Sequence, residues 1–126
     1  MTGLGVERRA GGMRVLVCGG RDFTDWGTLC CALDSLPGRP TAIIHGAARG
    51  ADTLAGCWGE LRKVPVWAFQ ADWEKHGHAA GPFRNAQMIA EGLPDLVVAF
   101  PGGRGTADMV RQARGAGVRV IEVEGG

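Results

Sequence analysis

Four short stretches hold most of the residues able to do chemistry. "GGRDF" carries Gly19, Gly20, Arg21 and Asp22, and "HGAARGAD" carries His45, Gly46, Arg49, Gly50 and Asp52. "ADWEKHGHAAGPFRN" carries Trp73, Arg84 and Asn85, and "PGGRGTAD" carries Pro101, Gly102, Gly103, Gly105, Thr106 and Asp108. Glycine lets main-chain N–H groups come close to a ligand. An arginine fork matches phosphate or carboxylate. A helix opening just after such a turn offers unpaired N–H donors and a positive dipole end. Thr106 adds a hydroxyl donor. The chemistry this combination suits is recognition of a phosphate-bearing small molecule.

Each stretch also has a plainer reading. The glycines close tight turns. Asp52 reads as a helix cap before it reads as a catalyst. His45 either touches a ligand or packs at a strand end. Arg21 and Asp22 can pair with each other. Trp73 either covers the core or offers its face to a nucleobase, and Arg84 is either a ligand contact or a solvated surface cation.

The elements that must position these residues follow from the apolar runs. "RVLVC" (14–18), "TAIIH" (41–45), "VWAFQ" (66–70), "DLVVAF" (95–100) and "VRVIEV" (118–123) read as five strands, and the first, second and fourth suit burial on both faces. Trp26, Leu29, Cys30 and Leu33 mark a helix capped by Thr24 or Asp25; Leu54, Cys57, Trp58 and Leu61 mark a second, capped by Asp52. Pro82 suits the first turn of a third helix ending near Gly92, and a fourth runs from about Arg104 to Ala113, with Gly115 and Gly117 as terminators. Alternating strands and helices give an α/β fold with a parallel sheet. Ligands of such sheets bind beyond the carboxyl ends of the strands, where strand order reverses. In the order 3-2-1-4-5 that point lies between the first and fourth strands, which end in "GGRD" and "PGGRGT".

Composition narrows the function classes. The chain has 126 residues, enough for one domain with its own core, and a net charge of +1 that argues against a nucleic-acid partner. The four cysteines, Cys18, Cys30, Cys31 and Cys57, have no CxxC spacing and read as core thiols of a cytoplasmic protein. No metal and no cofactor is expected, and no membrane segment. Residues 1–12 read as a flexible tail without a signal peptide's apolar segment, and residues 13–126 as a single domain.

"PGGRGT" preceded by "FRNAQM" resembles the Lonely Guy family of cytokinin-activating enzymes, whose signature is PGGxGTxxE with an upstream R-x-x-x-M segment, here Arg84 to Met88. The whole series, "MRVLVCGGRDFTD", "IIHGAARGAD", "AGPFRNAQM" and "PGGRGTADM", resembles more closely the YspA/YpsA-related branch of the SLOG superfamily. That resemblance spans about Met13 to Val123. It implies a Rossmann-like three-layer sandwich with a five-stranded sheet of order 3-2-1-4-5, binding a nucleotide-derived ligand.

Lonely Guy enzymes hydrolyse the N-glycosidic bond of nucleoside monophosphates with an arginine and a glutamate. The arginine position matches Arg84, whereas the glutamate position is Met109. Asp108, one residue earlier, lies about 100° away around a helix. The expectation is a module that binds or senses a nucleoside phosphate or an ADP-ribose- or NAD-like ligand, as a homodimer. The alternatives are a nucleotide N-glycosidic hydrolase using Arg84 with Asp108 or Asp22, and single-stranded DNA binding, because the DNA-processing protein A family shares the superfamily fold.

Overall fold

The computed structural model describes residues 13–124. The expected N-terminal tail, residues 1–12, lies outside them. Among the described residues eleven elements follow one another. Strand β1 is Met13–Cys18, α1 is Trp26–Asp34, β2 is Pro40–His45, α2 is Ala51–Leu61 and β3 is Val66–Ala68. A four-residue helix α3 (Trp73–His76) and a 3-10 turn (Gly77–Ala79) lead into α4 (Ala80–Gly92). Strand β4 (Leu96–Ala99), α5 (Arg104–Gly115) and β5 (Arg119–Glu122) complete the fold.

All four strand pairings are parallel, and the order is β3-β2-β1-β4-β5. The central strands are apolar on both faces because both faces are covered. Val15, Val17, Ile43 and Val98 pack with Leu29, Leu33, Ala55 and Trp58 of α1 and α2. Their alternates Leu16, Ile44 and Val97 pack with Met88 of α4 and Met109, Val110 and Ala113 of α5. This is the three-layer sandwich, and each fully buried branched side chain contributes about 1.5–3 kcal/mol. Beyond β4, Phe100 is buried and its ring lies 5.1 Å from that of Phe23, which anchors the loops after β1 and β4 to one another.

Helix α1 is capped by Asp25, whose carboxylate accepts from Thr28 N and Oγ1. Helix α2 departs from the expected pattern in two ways. Its N-cap is Gly50, at φ +83°, so Asp52 lies inside the first turn and does not cap it. Its buried face is Ala51, Asp52, Ala55, Trp58 and Gly59, whereas Leu61 is 64% exposed and Cys57 is exposed as well. Small residues face the sheet because the helix lies close to it. A Cβ at Gly59 would sit 2.6 Å from the Val66 side chain. Helix α5 continues through Gly115 and ends before Gly117, at φ +81°.

Candidate functional site

The loops after β1, β2 and β4 are tied into one rim by main-chain hydrogen bonds centred on Gly20. Its N–H donates to Pro101 O at 2.8 Å, and its carbonyl accepts from Ala51 N and Phe23 N, both at 3.2 Å. A Cβ at Gly50 would strike the Gly20 carbonyl, and one at Gly102 would strike Thr106 Oγ1 and crowd Gly20 N. Gly20, Gly50 and Gly102 therefore serve the contact between loops. Gly103 and Gly105 differ: a Cβ on either meets nothing within 4 Å. Gly103 opens α5 without any side-chain cap, so the N–H groups of that first turn point outward unsatisfied by the helix.

Behind this rim lies a cavity of about 880 Å³. Among the expected residues it is lined by Gly19, Gly20, Arg21, Gly46, Arg49, Trp73, Arg84, Asn85, Gly103, Gly105, Thr106 and Asp108. Asp22, His45, Gly50, Pro101 and Gly102 do not line it. Pro101 and Gly102 face a second depression of about 550 Å³ on the other side of the same loop, which shares Gly103 and Thr106 with the first. Residues that sequence reasoning did not place in the cavity include Asp52, Gln70, His78 and Arg104. The alternation of arginine with glycine in "GGRGT" was the available signal for Arg104.

Four arginines line the cavity: Arg21, Arg49, Arg84 and Arg104. Arg21 does not pair with Asp22. Its guanidinium carbon lies 5.7 Å from the centre of the Trp73 ring, which is 49% exposed. Asp22 instead meets Arg49 at 3.4 Å, between two largely exposed side chains, an ion pair worth little in water.

Arg84 reaches in from α4. Its Nη1 donates to Gly46 O and its Nε donates to Asn85 Oδ1 at 3.0 Å. Burial pulls its pKa down, the nearby Asp52 carboxylate pushes it back up, and the Arg21 charge pulls it down again. Asn85, 3% exposed, uses its Nδ2 to donate to Asp108 Oδ2 at 2.9 Å and to Gly105 O at 3.3 Å. It is thus a brace between α4 and the start of α5.

Asp52 is 6% exposed. Its Oδ2 accepts from Gly46 N at 2.9 Å and Ala48 N at 3.2 Å, so the carboxylate holds the loop before the helix in place. Burial raises its pKa, opposed by those two amides and by the Arg84 charge. That loop includes Ala47 at φ +59°. The second support of the loop is His45, whose Nδ1 accepts from Ala47 N at 2.9 Å. His45 is a buried strand-end residue, and an imidazole accepting at Nδ1 is neutral. Burial, aided by the Arg84 charge, lowers its pKa. Cys18, on the cavity floor, has its thiol pushed up to about 12, first by burial and then by Asp52 and Glu122, so it stays protonated.

The carboxylates considered for catalysis are poorly placed for it. Asp108 already accepts from Asn85 Nδ2, from Gln112 Nε2 at 2.8 Å and from Arg111 at 2.7 Å. Met109 is 0% exposed and packs against β1 and β4. Asp22 does not line the cavity and meets Arg49 in solvent. Among the described residues no helix is long and apolar enough to cross a membrane.

Gene 61 protein of Mycobacterium phage D29 is 42% identical over 118 residues, covering 86% of this chain and 94% of that protein. DNA processing protein A from Streptococcus pneumoniae superposes with a TM-score of 0.73 at 18% identity, over 90% of this chain. The chain spans 50% of that protein's length, and the likeness is one of fold. The model of the YspA, cpYpsA-related SLOG family matches residues 13–76, from β1 through α3 and so across the two loops that carry Gly20 and Gly50. With half of its length matched, and a relative this similar over most of both chains, the protein belongs to the YspA, cpYpsA-related SLOG family.

Proposed function

We propose that the protein binds a nucleoside phosphate or a related nucleotide-derived ligand in the cavity at the β1–β4 switch point. The observation that carries this reading is the convergence of Arg21, Arg49, Arg84 and Arg104 with the uncapped first turn of α5 on one cavity of about 880 Å³. Cationic forks and free N–H donors are complementary to phosphate oxygens. Trp73, half exposed on the same cavity, supplies a flat apolar face of the kind on which a base stacks. The volume is in the range of small-molecule sites.

Binding is favoured over hydrolysis. The glutamate position of the Lonely Guy signature is Met109, which is in the core, and Asp108 is saturated with donors. Nothing at the cavity matches the free carboxylate that a glycosidic transition state needs from that helix. A titration with AMP followed by amide chemical shifts tests the reading. The expected shifts fall on residues 19–21, 46–49, 84–85 and 103–106. Shifts scattered over the surface, or none at millimolar AMP, would refute it.

A further inference from the structure

Asp52 and Arg84 each keep one polar atom without a hydrogen-bond partner among the described residues. Asp52 uses only Oδ2 for the loop amides, and its Oδ1 has no donor among the described residues. Arg84 uses Nη1 and Nε, and its Nη2 has no acceptor among them. The two side chains influence each other's ionisation, yet they form no direct ion pair. Both line the cavity, and Asp52 is nine-tenths buried there beside the floor residue Cys18. Since no buried side-chain oxygen among the described residues lacks a partner, Asp52 Oδ1 is open to the cavity and free to accept from a donor placed there.

The donor must be neutral, because four arginines on the same walls repel a cation. It should also be able to accept from Arg84. An exocyclic amine or a ring N–H of a base donates but does not accept at the same atom. A hydroxyl does both. We propose that Asp52 Oδ1 accepts a hydrogen bond from a sugar hydroxyl of the ligand, so that the site selects a ribonucleotide over its deoxy counterpart. This rests on the nucleoside-phosphate reading and specifies the sugar. Asp52 thereby has two separable tasks, one for each oxygen. Oδ2 shapes the loop at residues 46–48, and Oδ1 reads the ligand.

The separation makes the inference testable with Asp52→Asn. The amide oxygen of asparagine still accepts from Gly46 N and Ala48 N, while its NH₂ replaces the reading acceptor by a donor. Calorimetric titrations of wild type and Asp52→Asn with AMP, 2′-deoxy-AMP and 3′-deoxy-AMP provide the readout. Wild type should bind AMP about tenfold or more tightly than at least one deoxy analogue, the size expected for a hydrogen bond to a charged group. In Asp52→Asn that ratio should fall towards one, whatever the loss of a negative charge does to phosphate affinity overall. Equal affinity of wild type for all three nucleotides overturns the inference and leaves the nucleoside-phosphate reading standing. So does a ratio unchanged in Asp52→Asn. Absence of binding by any of the three in wild type overturns both. Because the wild-type comparison needs no variant, a poorly folding Asp52→Asn does not remove the test.

Discussion

Arg84 enters the cavity with Nη1 and Nε already engaged by Gly46 O and Asn85 Oδ1, which fixes the plane of the guanidinium before any ligand arrives. A pre-oriented fork loses little side-chain entropy on binding phosphate. Arg84→Ala should therefore weaken AMP binding by about 1.5–3 kcal/mol, and Arg84→Lys should restore only part of it. Full rescue by lysine, measured by calorimetry, would point to diffuse charge instead. His45 sets a different test. Its folded pKa lies below the ordinary 6.5, so the unfolded chain takes up the proton first as pH falls. Stability attached to the neutral imidazole is complete above about pH 6.5 and declines below it. Urea midpoints at pH 7.5 and 5.5 should fall more for wild type than for His45→Gln, which cannot titrate. Parallel falls would contradict the assigned neutral contact to Ala47 N. Arg84, singled out by its motif, does line the cavity. Asp52 could not be read correctly, because an aspartate at the start of a helical pattern usually caps that helix. Here the positive φ of Gly50 starts α2 two residues earlier and sends the carboxylate back to the loop.

At the scale of elements, the joint between the β1 loop and α2 depends on Gly50. It sits at φ +83°, and a Cβ there would collide with the backbone carbonyl of Gly20. Gly50→Ala should lower stability by at least about 1–3 kcal/mol, the cost of backbone strain before any displacement of the rim is counted. Thermal denaturation checks this, and an unchanged midpoint would contradict the described joint. Helix α5 carries a second test, because its faces are fixed: residues 104–106 and Asp108 meet the cavity while Met109 meets the sheet. Wild type should release no adenine from AMP in a chromatographic assay. Met109→Glu should destabilise the fold by burying an unpaired carboxylate, without creating that activity. Robust adenine release by wild type, lost in Arg84→Ala, would show that another carboxylate serves. The face of α2 was the element least legible in the sequence. Leu54, Cys57, Trp58 and Leu61 have the spacing of a buried stripe, and Trp58 is buried, but close approach to the sheet sets Ala51, Ala55 and Gly59 beside it and leaves Cys57 and Leu61 exposed. Apolar periodicity weights bulk, whereas tight helix–sheet contact rewards its absence.

At the scale of the molecule, the parallel sheet was readable because its central strands lack polar alternation and glycine-rich turns follow their carboxyl ends. The order β3-β2-β1-β4-β5 then brings the "GGRD" and "PGGRGT" turns to one edge. What the sequence could not resolve is which of these glycines are open to the cavity and which join the loops. Gly20, Gly50 and Gly102 are occupied in joining loops, whereas the surroundings of Gly103 and Gly105, at the cavity, are open. That distinction leads to the most direct test of the account. No atom lies near the missing Cβ of Gly103, so Gly103→Val should keep the fold while its branched side chain covers the uncapped turn of α5. Calorimetric titration of AMP into wild type and Gly103→Val, with thermal melts of both, is the measurement. Wild type should bind one AMP per chain saturably, both proteins should melt cooperatively, and the variant should show no detectable binding. A folded Gly103→Val protein that binds AMP as tightly as wild type would contradict the account.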